Sequence, residues 1–265
     1  LRRLAPLLLL AAALCAAAPA GAQEIVTLNT RPGVTLSFFI ANMGKVQPRA
    51  AGLMLIGGGG NIRLRMEGGK VTFGQQNFLP RSRREFIAEG ILPVILDNPS
   101  DQQSGAGMSD EFRASAEHTA DLRAVIAEVK RRYPRLPVFL VTTSRSTISA
   151  AHQARAIGGE LAGAVLSSSL FYQGRQPVLA VFDFSTVKIP LLFVHHREDA
   201  CPSTPYRDAE KLGASYPLVS VKGGKTPETG PCDPLAPHGY YGKEAETVSA
   251  IAGWVLGKPF AREIQ

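Results

Sequence analysis

From residue 24 onward, short apolar β-branched runs alternate with segments whose apolar residues recur at helical spacing. The runs predict strands at Ile25–Asn29, Val34–Ile40, Leu53–Ile56, Leu92–Leu96, Val138–Val141, Ala164–Leu166, Leu191–His195 and Leu218–Val221. Helices are expected at Arg83–Ala88, Ser109–Tyr133, Ser146–Ile157, Tyr206–Leu212 and Lys243–Val255. Two strands come first with no helix between them; strand and helix then alternate to the end. That order predicts an α/β fold with a mostly parallel sheet of eight strands, an antiparallel start, and helices on both faces.

The longest helical pattern carries Leu122, Val125, Ile126 and Val129 on one stripe and ends before Pro134 and Pro137. Val138-Phe139-Leu140-Val141 follows, apolar at every position, as suits a central strand buried on both faces. Residues 23–265 read as one domain without repeat or linker. The segment Leu170 to Ile189 is too short for a large lid, so little or no cap domain and an open site are expected.

The first 22 residues follow a different rule. Arg2 and Arg3 precede the apolar run Leu7–Ala18 and the small-residue signal Ala20-Gly21-Ala22, the pattern of a cleaved signal peptide, residues 1–22. The run is short for a membrane span and no later stretch offers one. The expectation is an exported, periplasmic or secreted protein starting near Gln23. Cys15 leaves with the leader, and Cys201 and Cys232 remain as one even pair in an oxidising compartment. They are expected to be bonded; two free thiols or a metal pair are the alternatives, although neither cysteine has neighbours at zinc spacing.

The 265 residues carry a net charge of +7; removing Arg2 and Arg3 leaves 27 basic against 22 acidic side chains. The clusters Arg81-Ser82-Arg83-Arg84 and Lys130-Arg131-Arg132 read as solvated helix ends, with no interleaved aromatics to stack bases, so no nucleic-acid partner is expected.

Chemistry concentrates after the buried strand at 138–141. In Val141-Thr142-Thr143-Ser144-Arg145-Ser146-Thr147 a serine sits between that strand and a helix rich in small residues, at the sheet end where open α/β folds bind ligands. A sharp turn there exposes the Ser144 hydroxyl, and the following N–H and the helix N-terminus both favour negative charge. Ser146 and Ser149 fall inside the helix. This turn resembles the nucleophile elbow of the α/β-hydrolase family, G-x-S-x-G, with Thr142 and Ser146 in place of the two glycines.

The resemblance extends downstream in the family's order of serine, acid, histidine. Ile189 to Asp199 is a buried strand running into an acidic turn; it resembles the acid loop, with Asp199 as the acid and Glu198 its nearest competitor. Pro237-His238-Gly239-Tyr240 lies directly before the last helix and resembles the base loop, with His238 as general base. A bond between Cys201 and Cys232 would tie these two loops together. The run Leu53 to Asn61, with Gly57 to Gly60, ends the third strand, where the family places an oxyanion donor. Gly59 or Gly60 and the N–H of Arg145 are the expected donors, and Asn61 a side-chain contributor. No Gly-Lys-Ser/Thr or G-x-G-x-x-G follows to make a phosphate loop.

His118 shares the apolar helix face with Leu122 and Val125 and reads as a hydrogen-bonded core histidine, with a pocket contact as the alternative. The adjacent His195 and His196 point to opposite strand faces and cannot easily chelate one metal. The resemblance implies a serine hydrolase that cleaves a small-molecule ester, or an amide, through Ser144, His238 and Asp199, with no cofactor and no metal. Oligomeric state is not legible. The departures at Thr142 and Ser146 support a second reading, a non-catalytic binding module that keeps the fold.

Overall fold

A computed structural model describes residues 23–265; the expected leader lies outside the described residues. The chain opens with β1 (Glu24–Arg31) and β2 (Val34–Ile40), an antiparallel hairpin, followed by β3 (Ala50–Leu55). A small hairpin, β4 (Arg65–Glu67) and β5 (Lys70–Thr72), precedes α1 (Phe78–Arg81) and α2 (Arg83–Ala88). Next come β6 (Ile91–Pro99), α3 (Asp110–Arg113), α4 (Ala116–Arg132), β7 (Val138–Thr143), α5 (Thr147–Ile157) and β8 (Gly163–Ser167). A second small hairpin, β9 (Tyr172–Gln173) and β10 (Gln176–Pro177), leads to β11 (Leu191–His196), α6 (Tyr206–Leu212), β12 (Leu218–Val221), α7 (Glu244–Val255) and β13 (Glu263–Ile264).

The main sheet runs β1-β2-β6-β3-β7-β8-β11-β12-β13. Only β1–β2 and β2–β6 pair antiparallel; every other neighbour is parallel. This is the expected mostly parallel sheet with an antiparallel start, extended by one strand: the two-residue β13 is too short to register as a period. Strands β3, β6, β7, β8 and β11 are buried along their whole length, as their unbroken apolar runs require when helices cover both faces. One helix group packs α2 against α7, the other packs α3 and α4 against α5. Between β8 and β11 the chain makes only the small hairpin and two single turns, so no cap domain is inserted there.

Strand order reverses at β3. The chain crosses from β3 to β6 on one side, then back to β7 on the other, which opens a crevice at the carboxyl ends of β3 and β7.

The expected single helix Ser109–Tyr133 is two. Ser109 caps α3, accepting the Phe112 N–H at 3.2 Å, and Ser115 caps α4, accepting the His118 N–H at 3.2 Å. An N-cap serine has an extended backbone, and Ser115 takes φ −82°, ψ 165°. Two caps six residues apart therefore break the helix, and the break turns Arg113 inward.

His118 lies in the core as expected, with Phe112 alongside at 5.5 Å between ring centroids. Neither ring nitrogen has a hydrogen-bond partner, so the expected hydrogen bond is absent. It borders a small apolar cavity with Leu36, Leu96 and Met108. Burial, with Arg113 and Arg31 nearby, pushes its imidazole down to about 3. Burial likewise pushes His195 on β11 down to about 3, although the Asp199 charge opposes the shift.

Both imidazoles are neutral when folded and titrate near 6.5 when unfolded, so unfolding takes up protons below pH 6.5. Their contribution is constant above that pH. Stability falls as pH drops toward 3, by roughly 1 kcal/mol per pH unit for each histidine. Urea unfolding between pH 7 and 4.5 should show this decline, and His118→Leu should reduce its slope by about one proton; an unchanged slope refutes neutral burial of His118.

Candidate active site

Strand β7 ends at Thr143 with extended backbone, and Ser144 then adopts φ +56°. A left-handed non-glycine residue is costly and marks a position held by its surroundings. The neighbours that hold it stand where glycines were expected. Ser146 Oγ accepts the Thr143 N–H at 3.0 Å and donates to the Leu55 carbonyl at 2.6 Å, pinning the turn to the end of β3. Thr142 stays in the strand, its hydroxyl donating to the Val165 carbonyl of β8 at 2.8 Å. Thr147 donates to the Ser144 carbonyl at 2.6 Å and accepts the Leu170 N–H at 3.0 Å. Ser146 and Ser149 are fully buried, whereas Ser144 is partly exposed.

The turn presses against Gly57. A Cβ on Gly57 would lie 2.6 Å from Ser144 Cβ, so only glycine lets β3 and β7 end this close. Ser144, Gly57, Gly58, Thr143 and His238 line one cavity of about 130 Å³, with Gln75, Asn77, Phe78 and Asp233 on its other walls.

Gly59 and Gly60, the expected donors, do not line that cavity. The Gly60 N–H closes a turn on the Gly57 carbonyl at 3.2 Å, and Gly59 is packed against Ala106 and Gly107, its carbonyl accepting the Met108 N–H at 2.9 Å. In a trans peptide the N–H points opposite to its C=O, so the same turn directs the Gly58 N–H outward. Gly57 and Gly58 are the glycines of the run that line the cavity, and Gly58, at φ +59°, is the one whose N–H this turn directs away from itself; a run of four glycines carries no side-chain pattern from which to count. Asn61 donates instead to the Gln103 carbonyl at 3.0 Å and faces a different cleft. Arg145, the residue after the turn serine, pairs its side chain with Asp110 at 2.6 Å.

The acid and histidine loops meet beside the cavity. His238 Nδ1 lies 2.9 Å from Asp199 Oδ2, with the carboxylate fully buried and the imidazole almost so. Asp199 Oδ1 accepts the Cys201 N–H at 2.9 Å and Oδ2 accepts the Thr204 hydroxyl at 2.8 Å. An imidazole whose Nδ1 faces a carboxylate carries its proton there, leaving Nε2 as a free base. Glu198 turns away and accepts the Gly223 N–H at 3.1 Å. His195 accepts the Ser169 N–H at 2.8 Å, and His196 bridges the Gly223 carbonyl and the Glu198 N–H.

Sequence reasoning passed over three supports. Thr204 is one, and a lone threonine gives no signal. The others are Tyr240 and Ser168, both at positive φ. The buried Tyr240 hydroxyl donates to the Val194 carbonyl at 2.7 Å and accepts the Ser168 N–H at 3.0 Å, while Ser168 Oγ donates to the His238 carbonyl at 2.8 Å. Burial raises the Tyr240 phenol above its usual range. Cys201 and Cys232 are joined as a disulfide, which links the acid loop to the loop that carries His238. Among the described residues there is no group of three or more His, Cys, Asp or Glu able to hold a metal, and no helix long and apolar enough to cross a membrane.

No protein-family model and no curated protein matches the sequence. Solved structures do. An alpha-beta serine hydrolase homologue from Coxiella burnetii aligns over 91% of this chain and 99% of its own, with TM-score 0.57 and 15% identity. XC6422 from Xanthomonas campestris, described as an a/b serine hydrolase without lid, aligns over 86% and 94%, with TM-score 0.55 and 19% identity. A soluble variant of monoglyceride lipase from Saccharomyces cerevisiae aligns over 92% and 98%, with TM-score 0.59 and 11% identity. The chain therefore has the α/β-hydrolase fold; at these identities the likeness carries the architecture and not the chemistry.

The disulfide closes a loop of 31 residues, and removing it should cost about 3–4 kcal/mol through the entropy of the unfolded chain. Replacing both cysteines by serine and comparing urea midpoints checks this; a loss below about 1 kcal/mol would mean that other contacts already hold the two loops.

Proposed function

We propose that this chain is a serine hydrolase that cleaves a carboxylic ester, or an amide, through an acyl-enzyme. The observation that carries the proposal is the buried Asp199–His238 pair opening on the same cavity as Ser144 in its left-handed turn. In this reading His238 Nε2 takes the Ser144 proton as the hydroxyl oxygen attacks the substrate carbonyl. Asp199 holds the imidazole in the required tautomer and balances the charge it gains. The N–H groups of Gly58 and Arg145 receive the developing oxyanion, replacing the Gly59 or Gly60 donor expected from sequence. The imidazolium then protonates the leaving alcohol or amine, and water, activated by the same base, releases the acid. The structural neighbours described as serine hydrolases support this reading at the level of architecture.

A fluorophosphonate probe should label the folded protein, with labelling abolished in Ser144→Ala and slowed by roughly 10³-fold or more in His238→Ala. A folded wild-type protein that resists the probe would give way to the second reading, a binding module.

We also propose export, supported by the leader pattern and by the disulfide, which persists in oxidising compartments. Expression of the full sequence in a bacterial host should deliver a periplasmic or secreted product whose N-terminus is Gln23; an uncleaved cytoplasmic product overturns this.

A further inference from the structure

Arg113, the last residue of α3, is completely buried. Among the described residues no carboxylate lies within ion-pairing distance of it; Asp110, whose charge acts on it, is paired with Arg145. Its Nη2 donates to the Gly58 carbonyl at 2.8 Å and its Nη1 reaches Ser149 Oγ at 3.4 Å, while Nε has no partner. Burial lowers the guanidinium to about 9, so it remains charged at neutral pH. A buried charge with no ionic partner is among the most costly things a fold can contain. Stability alone therefore gives no account of Arg113.

Its contact does. Gly58 lines the cavity beside Gly57, and a glycine run has only its backbone by which to be held. The peptide plane before Gly58 is fixed by the Gly57–Gly60 turn. The plane after it is fixed by Arg113. Both planes that flank Gly58 are thus clamped, and the clamp places a permanent positive charge directly behind the loop. Fixed donors and charges oriented before reaction stabilise a developing anion without reorganisation.

We propose that Arg113 is a positioning residue for the oxyanion site: it locks Gly58 and supplies a buried positive field that favours the tetrahedral intermediate over the bound substrate. The proposal rests on the reading of Ser144 as nucleophile.

The test compares wild type, Arg113→Met, Arg113→Lys and Ser144→Ala. Stopped-flow acylation by p-nitrophenyl acetate gives the acylation rate and the ground-state dissociation constant. Phenylboronic acid, which forms a tetrahedral adduct with an active serine, reports on the transition-state geometry, and thermal melting reports on the fold. In R113M the acylation rate should fall roughly 10- to 100-fold and boronate affinity by a similar factor, while the ground-state constant moves less than about threefold. R113K keeps the charge but lacks the planar fork, and should lie between R113M and wild type. If R113M does not fold, a folded R113K decides: wild-type acylation and boronate affinity in it overturn the proposal. So do R113M values equal to wild type, or equal losses in ground-state binding and acylation. A wild-type protein without Ser144-dependent release of p-nitrophenol removes the nucleophile reading and this proposal with it. A wild-type acylation rate in R113M, with that release intact, removes this proposal alone.

Discussion

The site depends on how closely two parallel strands can end. β3 and β7 are neighbours in the sheet, and the turns that leave them must pass each other with a serine side chain between. Ser144 accepts a left-handed backbone to do so, at a cost of about 1 kcal/mol or more. The cost is met locally: Ser146 joins the turn to Leu55, Thr147 closes on the Ser144 carbonyl, and Gly57 withdraws the Cβ that would collide. Thr142 and Ser146 are thus not a weakened form of a glycine elbow. Their hydroxyls satisfy buried backbone groups that glycines would leave to other partners.

The histidine side of the cavity presents the opposite difficulty. Between β12 and α7 the chain runs more than twenty residues with only a single turn of helix at Pro237–Gly239, and a loop that long does not hold a side chain to a fraction of an ångström unaided. Here it is fastened at three points: the disulfide at Cys232, the Asp199–His238 hydrogen bond, and Tyr240, whose ring packs on Phe78 while its hydroxyl joins the ends of β8 and β11. All three converge on the six residues before and two after His238. The rest of the loop, Lys222 to Pro231, is exposed.

Elements whose period is strong and whose burial is uniform were legible from the residues: the eight strands, the stripe of α4, and the order in which Ser144, Asp199 and His238 return to one edge of the sheet. Small pieces were not. β13 pairs through two residues, and the β4–β5 and β9–β10 hairpins are too short for alternation to appear. The break between α3 and α4 was legible in principle, because Ser109 and Ser115 are both capping residues, but the apolar period runs through it. The glycine assignment failed for a different reason: which N–H faces the cavity is decided by one hydrogen bond, Gly60 to Gly57, and by the packing of Gly59 on Ala106 and Gly107. Neither leaves a trace in composition or spacing.

The buried polar groups around the cavity divide the charge in a way that favours one base. His195 sits close enough to feel both Asp199 and His238, and its position alone would make it a competitor. Its Nε2 lone pair is already occupied by the Ser169 N–H, and burial holds it neutral. A neutral neighbour does not compensate the Asp199 carboxylate, whose partners are otherwise the uncharged Cys201 N–H and Thr204 hydroxyl. The Asp199 carboxylate therefore faces the His238 ring with only uncharged donors at its other hydrogen bonds, and in the proposed mechanism it balances the charge of the imidazolium. On the glycine side Arg113 is a buried positive charge behind Gly58, while the buried Asp97 carboxylate is taken up by the Ile62 and Leu64 N–H groups. In the proposed reaction the serine proton moves toward the Asp199–His238 pair and the negative charge develops on the opposite, Gly58 side, where Arg113 holds the Gly58 carbonyl.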